Sequence, residues 1–237
     1  MSKLSSALQI SPQDTFATST TAQADLGALA MTSDGRSFRY AYAGAVALVA
    51  GTLQQSPVET TGWQNLTAVA AAVGDTTVSS TSTVTVAANG WAQGYMIVSV
   101  TPGVGQVYQI SGNAAYSAAA PTWTISDPIR VALTTTSRID IVAHPYNGVI
   151  INPTTATGLP VGVAMTAAAI NTYCWLQVGG VANILNDGGS TVGTNVSASN
   201  GTAGAVEAAV TAQAAIGVAL TGISTTEYGA IKLFGLL

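Results

Sequence analysis

Charge is what this 237-residue chain has least of. Lys, Arg, Asp and Glu together make up 7% of it, where an ordinary soluble domain carries roughly 25%. The six basic residues are scattered singly and the formal net charge is −4, which excludes the clustered cationic footprint needed to bind nucleic acid. A single cysteine, Cys174, rules out an intramolecular disulfide, and no CxxC or Cys/His cluster is present to hold zinc. Long apolar runs are missing too. The longest, "AYAGAVALVAG" (41–51), is too short and too rich in Ala and Gly to span a bilayer, so no membrane partner is expected. The opening "MSKLSSALQISPQD" lacks the apolar core of a signal peptide. That predicts a chain made in a cytosol, working there or leaving in an assembled form.

What is present is Ala, Thr, Gly and Val, about half of all residues, with a positive mean hydropathy. A surface so poor in charge keeps a free monomer soluble badly, so much of it is expected to lie under partners. Residues 1–33 are polar and without sustained period, and read as an extended N-terminal arm, either disordered or laid on another subunit. From Asp34 the texture becomes that of strands. Phe38, Tyr40 and Tyr42 alternate in "DGRSFRYAYAG", and further strands are expected at 83–87, 94–100, 106–111, 122–126, 138–144 and 148–152. Turn signals such as "TPGVG", "SDP" and "HPYNG" separate them at the spacing of a sandwich or barrel. "WQNLTAVAAAVG" (63–74) fits either a helical turn or a strand.

"NPTTATGLP" (152–160) interrupts the pattern and suggests a boundary, giving a β-rich domain over 34–155 and a C-terminal domain over 156–237. The latter contains one segment twice, "GVAMTAAAINTYCWLQVGG" (162–180) and "GVALTGISTTEYGAIKLFG" (217–235), aligned without a gap. Period-2 alternation makes each copy a β-hairpin. Val163, Met165, Cys174, Leu176 and Val178 are the expected inner face of the first, with Tyr173, Trp175 and Gln177 outside. In the second, Val218, Leu220, Ile231 and Leu233 are expected inside, with Tyr228 and Lys232 outside. The fold expected is all-β: sandwich or barrel domains, the arm, and a small C-terminal β-barrel, β-tulip-like, built around the repeated hairpin. Short strands around 181–185, 191–197 and 205–209 would connect the copies.

Chemistry is sparse. His144, the single histidine, shares a strand face with Arg138, Asp140 and Val142, but "HPYNG" is a turn, where a histidine more often bonds backbone than serves as a base. Cys174 lies mid-strand among apolar neighbours, the setting of an inert thiol. No G-x-S-x-G elbow and no close pair of carboxylates occurs. "NDGGST" (186–191) lacks the spaced acidic ligands of a calcium loop and reads as a turn, and "GVGQVYQ" lacks the lysine and helix of a phosphate loop. Trp63, Trp91, Trp123 and Trp175 invite a sugar-stacking platform, although core or interface anchors are the commoner role of tryptophan in strands. No catalytic, cofactor-binding or metal-ligating residue is expected.

The phrases "DGRSFRYAYAGAVALVAGTLQQ", "GYMIVSVTPGVGQVYQISG", "RIDIVAHPYNGVIINPT", "YCWLQVGGVANIL" and "IGVALTGISTTEYGAIKLFG" resemble virion structural proteins of tailed bacteriophages, among them head decoration (cement) proteins. The likeness runs over most of residues 34–237 and consists of texture and short phrases. It implies a β-rich, often trimeric protein that binds the major capsid protein on the outer shell and reinforces it, with no catalytic residues to carry over. The expectation is a non-enzymatic homo-oligomer, trimer preferred, made in the host cytoplasm and located on the virion. The alternative is a receptor- or glycan-binding module of a fibre or tail.

Overall fold

The computed structural model describes residues 8–210 and 213–236. All of its regular structure is β, apart from two single 3-10 turns at Asp14–Phe16 and Thr61–Trp63. In chain order the first strands are β1 (Leu8–Gln9), β2 (Thr18–Ser19), β3 (Leu29–Met31), β4 (Ser37–Ala43) and β5 (Leu53–Gln55). A second group follows: β6 (Leu66–Thr67), β7 (Thr77–Ser79), β8 (Val84–Val86), β9 (Tyr95–Val100), β10 (Val107–Asn113), β11 (Tyr116–Ala119), β12 (Thr122–Ile125) and β13 (Arg138–Val142). The last are β14 (Asn147–Ile151), β15 (Pro160–Ala164), β16 (Tyr173–Leu185), β17 (Asn195–Ala198), β18 (Val206–Ala208), β19 (Gly217–Ala219) and β20 (Tyr228–Phe234).

The chain divides into two compact units, and not at 152–160. One unit is Glu59–His144; the other joins the residues up to Val58 to those from Pro145 onward. The reason is pairing across the gap. β14 lies parallel to β4 and antiparallel to β5, while β15 pairs with β5 and β16 with β4. The Pro/Thr-rich stretch at 152–160 is therefore a loop within one unit.

In the unit Glu59–His144, six strands form an antiparallel sheet in the order β6-β13-β9-β10-β12-β7, and β11 pairs with β8. Alternation dictates the faces: on β13 Ile139 and Ile141 are buried, while Arg138, Asp140 and Val142 point the other way. The core gathers Trp91, Trp123, Met96, Ile110, Ile139 and their neighbours. The ambiguous "WQNLTAVAAAVG" resolves as strand: Trp63 ends a 3-10 turn, β6 follows, and Ala68 and Ala71 make isolated bridges with both side chains buried.

The other unit contains two small barrels that share one long strand. The first closes as β4-β14-β5-β15-β16, because β16 returns to pair with β4 from Tyr173↔Tyr42 to Gly179↔Ser37. The second runs β16-β20-β19-β17-β18 and closes by a parallel bridge between Asn186 and Val206. The N-terminal half of β16 serves the first barrel and its C-terminal half the second. Between them lie Gly179 and Gly180, the latter at φ +82°, where a side chain would meet Arg36. Gln177, fully buried, spans the bend by donating from Nε2 to the carbonyls of Gly179 (3.0 Å) and Val181 (2.8 Å).

The repeated hairpin is thus used once per barrel. Val163↔Gln177 and Ala164↔Leu176 in the first copy recur as Val218↔Lys232 and Ala219↔Ile231 in the second. Leu176, Val178, Ile231 and Leu233 are buried as expected. On the short strands the expected faces need correction. Ala219 is fully buried, while Val218 is half-buried and Leu220 is 40% exposed; in β15 both Val163 and Ala164 are buried. The "outer" side chains of the first copy are also covered: Trp175 is 9% exposed and Gln177 is buried.

The cover is the N-terminal segment, which is not a free arm in its described part. β1 pairs with β3, β3 with β4, and β2 with β16 at Tyr173 and Cys174. Ala30, Phe38, Tyr40 and Trp175 form a small core under this segment, joined by Ile10, Ala24 and Ala28. The backbone N–H of Gln23 donates to the Tyr40 hydroxyl at 3.0 Å, and Arg39 Nη1 donates to the Gly27 carbonyl at 2.7 Å. Residues 1–7 lie outside the described residues.

Candidate interaction surface

The groups able to do chemistry are tied into structure. Arg138 and Asp140 share the outward face of β13, and each is hydrogen-bonded to nearby backbone. Asp140 Oδ1 accepts the backbone N–H of Asn65, a residue in the left-handed region (φ 52°) at the turn into β6. Arg138 Nη1 donates to the carbonyls of Thr135, Thr136 and Ser137 at 3.1–3.2 Å. His144 is half-buried two residues beyond the strand, where the turn begins.

Cys174 is 2% exposed inside the first barrel, and burial pushes its thiol up to about 12. A thiol held protonated in this way is a poor nucleophile and a poor metal ligand. In "NDGGST", Asp187 accepts the Ser199 hydroxyl at 2.7 Å, and the buried Asn186 Nδ2 donates to Ser190 Oγ at 2.9 Å. Gly188 and Gly189 take φ values of 93° and 72°, so the segment is the turn its Asp-Gly-Gly suggested. Among the described residues no three His, Cys, Asp or Glu side chains lie close enough together to hold a metal ion.

The tryptophans do not form a platform. Trp91 and Trp123 are fully buried with ring centroids 5.6 Å apart, and Trp63 packs edge-on to Trp91 at 5.0 Å. Trp175 meets Tyr40 edge-to-face at 4.9 Å beneath the N-terminal segment. They are anchors of two separate cores.

What does stand open is the outer face of the second hairpin. Along β20, Gly229, Ile231 and Leu233 turn inward, which leaves Tyr228, Lys232 and Phe234 outward. Val181 sits directly opposite Lys232 across the ladder, and Leu185 opposite Tyr228. Tyr228 is 47% exposed, Val181 50% and Phe234 59%, with Leu220 just beyond the end of β19. Lys232 is the one charge on these strand faces. The equivalent face of the first hairpin is the one covered by residues 8–31, as Trp175 and Tyr40 show. The same hairpin therefore appears with its outer face covered in one barrel and bare in the other. A mostly apolar strip on a rigid ladder, interrupted by the single charge of Lys232, suits docking of a protein surface, since little conformational freedom is lost and few charges must be desolvated.

Sequence reasoning placed Tyr228 and Lys232 outside but missed Leu220, Val181 and Phe234. Leu220 was hidden by parity: with small apolar residues on both sides of a three-residue strand, alternation alone does not say which side is inner. Comparison with known protein families, characterised proteins and solved structures finds no match for this chain.

Proposed function

We propose that this chain is a non-enzymatic structural protein of a tailed-bacteriophage virion, made in the host cytoplasm. In this reading it decorates the outer surface of the capsid, binds the major capsid protein and stabilises the shell as a homo-oligomer, a trimer by preference. The observation that carries the reading is the bare, nearly uncharged face around Tyr228 and Phe234 on a rigid double barrel. The low charge of the whole chain supports it, because an interface repeated many times costs less to desolvate when few charges are buried. The engagement of Asp140 and Arg138 in turns and the burial of Cys174 agree with a structural task. In a cyclic trimer the contacts are heterologous, so the Lys232 residues of neighbouring copies need not face one another.

The test is cryo-electron microscopy of particles from a phage whose gene for this chain is deleted. The proposal expects outer density to vanish at every site of one kind on the head and the particles to become more fragile. Unchanged density over the whole head would end it.

A further inference from the structure

The correspondence between the two barrels extends far beyond the repeated hairpin. In the first barrel β15 pairs with β5 through Gly162↔Gln54 and Val163↔Leu53; in the second β19 pairs with β17 through Gly217↔Val196 and Val218↔Asn195. The antiparallel pairing Ile151↔Gln54 has its counterpart in Ala208↔Val196. Even the parallel contact recurs, as Val149↔Ala43 and Val206↔Asn186, and so does the isolated bridge Leu48↔Ala168, as Ser190↔Ile223. Backbone conformations follow the same map. Gly51 and Gly193 have φ of 72° and 83°, and Asn171 and Thr226 have 59° and 65°. A left-handed residue is rare enough outside glycine that its recurrence at matched positions argues strongly for one template.

The map fails at one place. In the second barrel β17 and β18 are joined by residues 199–205, a short turn in which Ser199 Oγ accepts the backbone N–H groups of Gly201 and Thr202 at 3.0 Å. At the same place in the first barrel the chain leaves after β5 and returns at β14, having built the whole of Glu59–His144. Exit and return are side by side: a Cβ at Gly148 would lie 3.9 Å from Pro57 Cβ. The intervening residues have a core drawn from 63–141 alone.

We infer that the barrel unit is a tandem duplication of one five-stranded module, and that Glu59–His144 is a guest domain inserted into a turn of the first copy. The host is complete without the guest, as the second copy demonstrates with its short turn. The guest contributes nothing to either barrel core and is tethered through two adjacent strand ends. This inference does not depend on the proposed virion role.

Differential scanning calorimetry on the full chain tests it, using one mild core variant in each part. Ile110→Val thins the guest core and Ile231→Val the second barrel. Each should lower one thermal transition by about 4 °C and leave the other in place. A variant in which Glu59–His144 is replaced by a short Gly/Ser linker between Val58 and Pro145 should keep a cooperative transition matching the host's. A single transition lowered alike by both Ile→Val variants, or loss of cooperative unfolding on excision, would overturn the inference. The native mass of the excised variant separates this result from the functional proposal, since self-association is assigned to the host.

Discussion

Side chains at matched positions of the two barrels show how one backbone accepts different cores. Cys174 and Ala168 are buried neighbours in the core of the first barrel; at the corresponding places the second has Gly229 and Ile223. Volume has moved across the contact: a side chain at Gly229 would fall inside that of Ile223. Close packing makes either change alone costly. Gly229→Ala should therefore destabilise by about 1–3 kcal/mol, whereas Gly229→Cys combined with Ile223→Ala, which installs the first barrel's pair, should recover much of the loss. Chemical denaturation of the single and double variants measures the coupling, and additive losses would refute the matched packing. A second exchange replaces apolar Ala43 and Leu48 by Asn186 and Ser190, whose mutual hydrogen bond satisfies two polar groups that would otherwise be costly to bury.

Burial also fixes a pH dependence. The Cys174 thiol and the Tyr146 hydroxyl are both pushed up to about 12 by burial, above ordinary values of 9.0 and 10.0. Between those values the unfolded chain releases protons that the folded chain keeps, so alkali favours unfolding. Stability should hold up to about pH 9 and fall as the pH rises toward 12. Thiol labelling at pH 8 should be negligible until denaturant unfolds the protein. Rapid labelling of the native protein would contradict the buried position.

At the scale of strands and hairpins, much was legible. β9, β10, β12 and β13 fall where alternation placed them, because each buries one face and leaves the other more open; β14 also falls where expected, although only Val149 in it is fully buried. Strands that break this rule were missed. β5 is Leu-Gln-Gln with all three residues buried, a pattern that polarity disguises. β1, β2 and β3 are two or three residues long, too short to show a period, and β1 and β2 pair with strands far along the chain, β3 and β16. The same non-local pairing hid the role of residues 8–33, which read as an arm and pack as a cover. Deleting residues 1–30 should accordingly cost about 3 kcal/mol or more by exposing Trp175, Tyr40 and Phe38. Red-shifted tryptophan fluorescence and a lowered denaturation midpoint would report it; an unchanged midpoint would make the segment dispensable. The candidate surface was half legible: the outward positions of β20 follow from period 2, but that this face is bare while its twin is covered depends on where the N-terminal segment lies.

On the scale of the whole molecule, two hairpins of equal pattern were expected to build one barrel and instead each belongs to its own. Period and turn chemistry are local, whereas the return of β16 to β4 and the insertion of Glu59–His144 are set by tertiary pairing. The asymmetry this leaves decides what the molecule exposes: one hairpin face is capped from within and the other is bare. We propose that this bare face holds copies of the chain together on a shell. Sedimentation equilibrium of the purified full chain, beside Phe234→Lys and Val181→Lys variants, tests it most directly. The expected native mass is several chain masses, three by preference, falling to one chain mass in the variants while each still unfolds cooperatively with an unchanged far-ultraviolet circular dichroism spectrum. A monomeric native protein, or variants that keep the full assembled mass, would contradict it.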